Sequence, residues 1–175
     1  MKTKTTALFS TSTLALCAAM LFTANSNAAP KDTLDAADVK FVKTESAAGS
    51  AVVKLAELGV QKAERAEVKA FAEMLVTDHT QANKELSALA VEKGVEVSAV
   101  ISPKHAEEFQ KLEKASKADF DKEFLADIIS DHKKCVSNFE EAAKDAKNSD
   151  VKTWAEKMLP VLKAHHAKAK ELAAK

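Results

Sequence analysis

Apolar residues recur in steps of three and four along most of this chain, a spacing that an α-helix gathers on one side and a strand scatters over two. The plainest run is residues 65–93, where Val68, Phe71, Leu75, Ala82, Leu86 and Leu89 share a stripe. A first helix starts on Asp35 or Asp38 as cap and runs to about residue 60, with Phe41, Glu45, Ala48, Val52 and Leu55 in phase. Gly94 supplies a left-handed stop for the second helix, and residues 95–102 show no helical phase. Ser102 followed by Pro103 opens a short helix, with His105, Phe109 and Leu112 on one side, that fades at residues 116–119. A third long helix, from about 120 to 144, carries Phe120, Phe124, Ile128, His132, Cys135, Phe139 and Ala142. Asn148 recaps a last helix with Val151, Trp154, Met158, Leu162, His165, Ala169 and Leu172 in phase. Pro160 lies inside it, where the missing amide hydrogen predicts a kink.

Four long helices and one short one predict an all-α protein: a four-helix bundle, ferritin-like, with the extra short helix in the connection between helices two and three. That connection is long enough for a crossover as well as for a simple up-down-up-down order. With 3 Gly, 3 Pro and no Tyr, the composition favours helix over sheet throughout.

The first 28 residues read differently. Lys2 and Lys4 precede an apolar run at 14–22, and Ser26, Asn27 and Ala28 offer small residues for cleavage, so residues 1–28 are expected to be a signal peptide and 29–175 the bundle domain. The run is about half of the ~20 residues needed to span a bilayer. Export places the domain in the periplasm or loosely on the envelope, and membrane contact is at most peripheral. An apolar stripe left exposed on the short helix, at Phe109 and Leu112, would provide such contact. Loss of Cys17 with the leader leaves Cys135 without a disulfide partner, and its place on a stripe predicts a buried, inert thiol. Formal charge is +0, and lysines alternate with glutamates, so no basic face for nucleic acid is built.

Polar residues on the apolar stripes hold the candidate chemistry. His79, His132 and His165 each fall near the middle of a long helix on its buried side, which brings three imidazoles to one level of a bundle. Glu45 lies on the stripe of the first helix, and Asp78 and Asp131 precede two of the histidines. These six residues can be assembled into a site for a transition metal ion, with the carboxylates as ligands or as partners that orient the rings. The same histidines can also form a hydrogen-bonded polar layer without any ion. The Glu-x-x-His pairs of di-iron bundles are absent, since Val76, Ile129 and Leu162 stand three residues before the histidines. No nucleophile or substrate-orienting loop points to catalysis. Residues 71–79 and 124–132 echo one another, each beginning with Phe and ending in Asp-His.

The segments VKAFAEMLVTDHTQAN at 68–83, FDKEF at 120–124, DHKK at 131–134, Phe139-Glu140 and LPVLKAH at 159–165 resemble the DUF4142 family over roughly residues 35–173. The resemblance implies exported bacterial proteins with a ferritin-like bundle, associated with the outer membrane, and it transfers no reaction. Val52 and Lys54 stand where the family commonly has acidic residues, and Cys135 stands where it has a small or polar one. Pro160 belongs to the pattern. The leading functional reading is therefore a structural or interaction domain of the envelope, its partner an envelope protein or a second copy. The alternative is a metal-binding bundle with redox or storage chemistry.

Overall fold

The structure, a computed structural model, describes residues 33–175. Its helices are α1 (Ala36–Lys62), α2 (Ala66–Glu92), α3 (Pro103–Lys114), α4 (Lys117–Asp145) and α5 (Ser149–Ala173), and no strand occurs among the described residues. The expected leader, residues 1–28, lies outside them.

Local chemistry sets the helix ends. Asp35 caps α1 by accepting the Asp38 amide hydrogen at 2.8 Å. Asp38, the other candidate cap, turns inward and accepts the amides of Lys147 and Asn148 at 3.1 and 2.7 Å, tying the start of α1 to the α4–α5 turn. Gly94 takes the left-handed conformation expected of it, with φ 69°. Ser102 caps α3, and Pro103 occupies its first turn. α4 begins three residues before the expected start: Ser116 accepts the Asp119 amide hydrogen, and its hydroxyl donates to the Asp119 carboxylate at 2.7 Å. α5 runs as one helix on both sides of Pro160.

α1 packs on α2 and α4, and α5 packs on α2 and α4, so the four long helices close on one another as a bundle. The N-termini of α2 and α4 meet at one end, where the Asp121 carboxylate accepts the amides of Glu64 and Arg65 at 3.1 and 3.0 Å. Arg65 reaches the Leu172 carbonyl near the end of α5, and Lys93 at the far end of α2 pairs with Asp150 at the start of α5. α2 and α4 thus run the same way, opposite to α1 and α5, and residues 93–116 carry the chain back along the bundle.

The apolar core has two main parts. One, at the end where α2 and α4 begin, includes Leu55, Phe71, Leu75, Phe120, Phe124 and Ile128. The other includes Ala82, Phe139, Met158 and Leu162, with Phe41 and Trp154 against it. Leu112 of α3 is fully buried in the first cluster and Phe109 packs on it, so the short helix does not present the exposed apolar stripe that membrane contact would need. Among the described residues no helix is long and apolar enough to cross a membrane.

Candidate metal centre

His79 of α2, His132 of α4 and His165 of α5 fall between the two apolar clusters, one turn beyond Leu75, Ile128 and Leu162 respectively or nearly so. Their helices run in mixed directions, yet midpoints of similar helices share a level, and the rings meet. Ring centroids are 5.3, 5.4 and 5.5 Å apart, a nearly equilateral triangle. Exposure is 6, 1 and 2 % for His79, His132 and His165, so solvent solves none of their hydrogen-bonding needs.

The outer partners fix which nitrogen each ring presents. A carbonyl only accepts, so His132 donates Nδ1–H to the Ile128 carbonyl at 3.1 Å and keeps the Nε2 lone pair. His165 donates Nε2–H to the Asp78 carboxylate at 2.9 Å, which leaves Nδ1 buried with no hydrogen-bond partner. His79 Nε2 stands 3.3 Å from His132 Nε2 and donates to it when no ion is present. One ligand atom from each ring lies within 4.8 Å of the other two. A 3.3 Å separation is also about the edge of a tetrahedron with metal–nitrogen bonds of ~2.0–2.1 Å.

Electrostatics keep His79 and His132 neutral. Burial pushes His79 well below the ordinary histidine value, and the neighbouring His132 and His165 add to the effect. His132 is pushed down to about 4, first by burial and then by His165, against the opposing Ile128 carbonyl. Neutral imidazoles at pH 7 are ligands; imidazolium ions are not.

The six predicted residues do not form one ring of ligands. Asp78 joins the histidines as the partner of His165. Glu45 instead accepts from the Cys135 thiol at 3.2 Å and the Asn138 amide at 2.7 Å, and burial raises its pKa. Burial, with Glu45 beside it, pushes the Cys135 thiol well up, as fits the inert thiol expected. Asp131 points away from His132, toward Lys104 at 3.1 Å and His105 at 3.6 Å. Burial pushes that carboxyl up, but His105 and Lys104 outweigh it and hold it below the usual carboxylate value. A cavity of about 40 Å³ touches the three inner histidines, Glu45, Asp78, Asp131, His105 and Cys135, with Asn83 and Met158 on its wall, and has room for a water or two. Sequence reading missed His105 and Glu108 as chemical groups. Their i, i+3 spacing was the available signal, while their partner Asp131 is supplied by another helix.

The fold and site define a class: an all-α bundle with three buried histidines from three helices converging on one point. The chain belongs to the DUF4142 family, described as a domain of unknown function, whose model matches residues 23–172. No curated protein sequence matches it. Among solved structures it is similar to a DUF305 fragment from Deinococcus radiodurans, at 17% identity and TM-score 0.73, over 81% of this chain and 98% of that one. It is also similar to CopM in the Cu(II)-bound form, at 20% identity and TM-score 0.68, over 78% of this chain and 95% of that one. The silver-bound form of CopM matches at TM-score 0.64, also at 20% identity, over 77% of this chain and 93% of that one. At these identities the likeness is one of fold.

Proposed function

We propose that this protein is an exported, ferritin-like four-helix bundle that binds one transition metal ion through His79, His132 and His165. The observation that carries this reading is the pair of outer hydrogen bonds, from His132 to Ile128 and from His165 to Asp78, which leave His132 Nε2 3.3 Å from His79 Nε2 and His165 Nδ1 buried without a partner. A layer built only to satisfy its own polar groups would not leave His165 Nδ1 buried and unpartnered. Three imidazole nitrogens suit ions at the copper–zinc end of the first-row series. Asp78 orients the His165 ring, as a carboxylate behind a ligating histidine does. CopM, of like fold, is known in copper- and silver-bound forms, which makes copper the first ion to test. Storage or transfer of the ion in the periplasm fits a site that lacks a nucleophile or a substrate-orienting loop.

Metal content of protein purified without an affinity tag tests the reading. At least one equivalent of copper or zinc is expected, one fewer in His132→Gln and in His165→Gln, with chelation lowering the melting temperature of the wild type more than that of either variant. Metal-free protein that neither takes up copper or zinc nor melts higher in their presence would overturn it. An interaction domain of the envelope, with its histidines as a bonded polar layer, would then be the better account.

A further inference from the structure

A second group of metal-type side chains lies at the α3–α4 contact and is not used by the histidine centre. His105 and Glu108 stand three residues apart on α3, facing Asp131 of α4, and each brings one ligand atom within 4.8 Å of the other two. The Lys104 ammonium already holds one oxygen of each carboxylate, Glu108 Oε1 at 2.5 Å and Asp131 Oδ1 at 3.1 Å. The second oxygens, Glu108 Oε2 and Asp131 Oδ2, are buried and accept no hydrogen bond. His105 Nε2 lies 3.6 Å from Asp131 Oδ2, an ion-pair rather than a hydrogen-bond distance. Its other nitrogen is occupied by the Ser102 hydroxyl at 3.0 Å, which fixes the ring. One turn before Asp131, Asp127 adds a third carboxylate with a buried, unpartnered oxygen. Lys104 pairs with Glu108 and Asp131 through one oxygen each, and Lys111 acts on Asp127. The second oxygens of Glu108 and Asp131 are still buried acceptors, which are stable only when a cation or donor meets them.

We infer that His105, Glu108 and Asp131 form a separate outer site for a divalent first-row cation. The donor set, one imidazole and two carboxylates, is harder than three imidazoles and leaves positions for water, so it suits a hydrated divalent ion rather than a monovalent one. The site borders the same cavity as the inner rings through His105 and Asp131, and Asp131 directly precedes His132. It does not depend on the inner site binding an ion. Lys104 is its competitor: the ammonium is largely exposed and can swing away, but its charge opposes the arriving cation.

Zn²⁺ titrated into the full chain at pH 7 by calorimetry, with helicity checked by circular dichroism, tests the assignment. Two equivalents are expected for the wild type and one for the His105→Gln/Glu108→Gln double variant. Lys104→Gln should keep both sites and tighten the outer one several-fold, whereas a merely structural network would be loosened by that change. Wild type binding one equivalent and the double variant none would support the outer site while removing the inner one. Equal stoichiometry in the wild type and double variant, or an outer affinity unchanged or weakened in Lys104→Gln, would overturn the inference.

Discussion

Where α2 and α4 begin, Leu55, Leu75, Phe120, Phe124 and Ile128 fill the bundle with apolar side chains that water hardly reaches. Half a helix further along the same stripes, three imidazoles and a carboxylate occupy the equivalent inward positions. Helical phase is identical in the two regions, so phase alone cannot say what a stripe is for. The apolar end gains stability from every methylene it hides. The polar layer must offset desolvation with partners found one by one, in Ile128, Asp78, Asn138 and Cys135. Polar groups placed at that cost in mid-bundle, where leucine would pack, point to chemistry rather than to stability.

Truncation of the apolar end should have the largest effect. Phe124 is fully buried against Phe120, with ring centroids 6.0 Å apart, and Phe124→Ala should cost ~3–5 kcal/mol of unfolding free energy, read as a fall in urea midpoint. The loss should be nearly the same from pH 4 to 8, because no titrating group is involved.

The histidine layer should respond to pH instead. In the metal-free protein, unfolding raises His132 from about 4 to the ordinary histidine value. Its contribution is therefore fully present above about pH 6.5. On acidification the unfolded chain takes up the proton first, and stability falls until about pH 4, by roughly 3 kcal/mol from this residue alone. His79 acts in the same direction. Asp127, raised to about 6, and Glu45 titrate with the opposite sign, since a raised carboxyl favours the folded state at low pH. The measurement is thus the difference between wild type and His132→Gln across pH 4–7. A flat difference would mean that His132 is not desolvated in the folded protein.

The same contrast explains how much the sequence disclosed. Steps of three and four placed Leu75 and His79 on one stripe without ambiguity, because phase is a local property of the helix. The stop at Gly94 and the start at Ser102 and Pro103 were equally local. Ser116 was passed over because the apolar phase resumes only at Phe120, although Ser116 and Asp119 carry a capping pattern. The rotations that decide partners were not legible. Whether Asp131 turns to His132's neighbours or to His105 depends on where α3 docks after a coil of eight residues, and nothing within α4 encodes that. Glu45 was correctly placed inward, but its partners Cys135 and Asn138 belong to α4. Whether the stripe of the short helix is covered was equally illegible, because Leu112's companions, such as Phe120, lie on the next helix.

Two glycines of α1 bring the contrast down to single methyl groups. Gly59 lies at the apolar end, where an added Cβ would stand 2.9 Å from both the Ala72 Cβ and the Phe124 ring. Those atoms are themselves packed, so Gly59→Ala should cost ~1–3 kcal/mol despite the better helix propensity of alanine. Gly49 is beside the polar layer, where an added Cβ would run into the Asn83 amide oxygen, more closely than Gly59's would meet its neighbours. That closer clash is the cheaper one. The Asn83 side chain is flexible and only partly buried, it borders the cavity, and it can rotate away. The helix then gains up to ~1 kcal/mol from replacing glycine in its interior. Gly49→Ala should therefore leave the urea midpoint within about 1 kcal/mol of wild type, on either side. A loss equal to that of Gly59→Ala would show that Asn83 is held as rigidly as the apolar end, and that the layer around the histidines has no slack for a side chain to move.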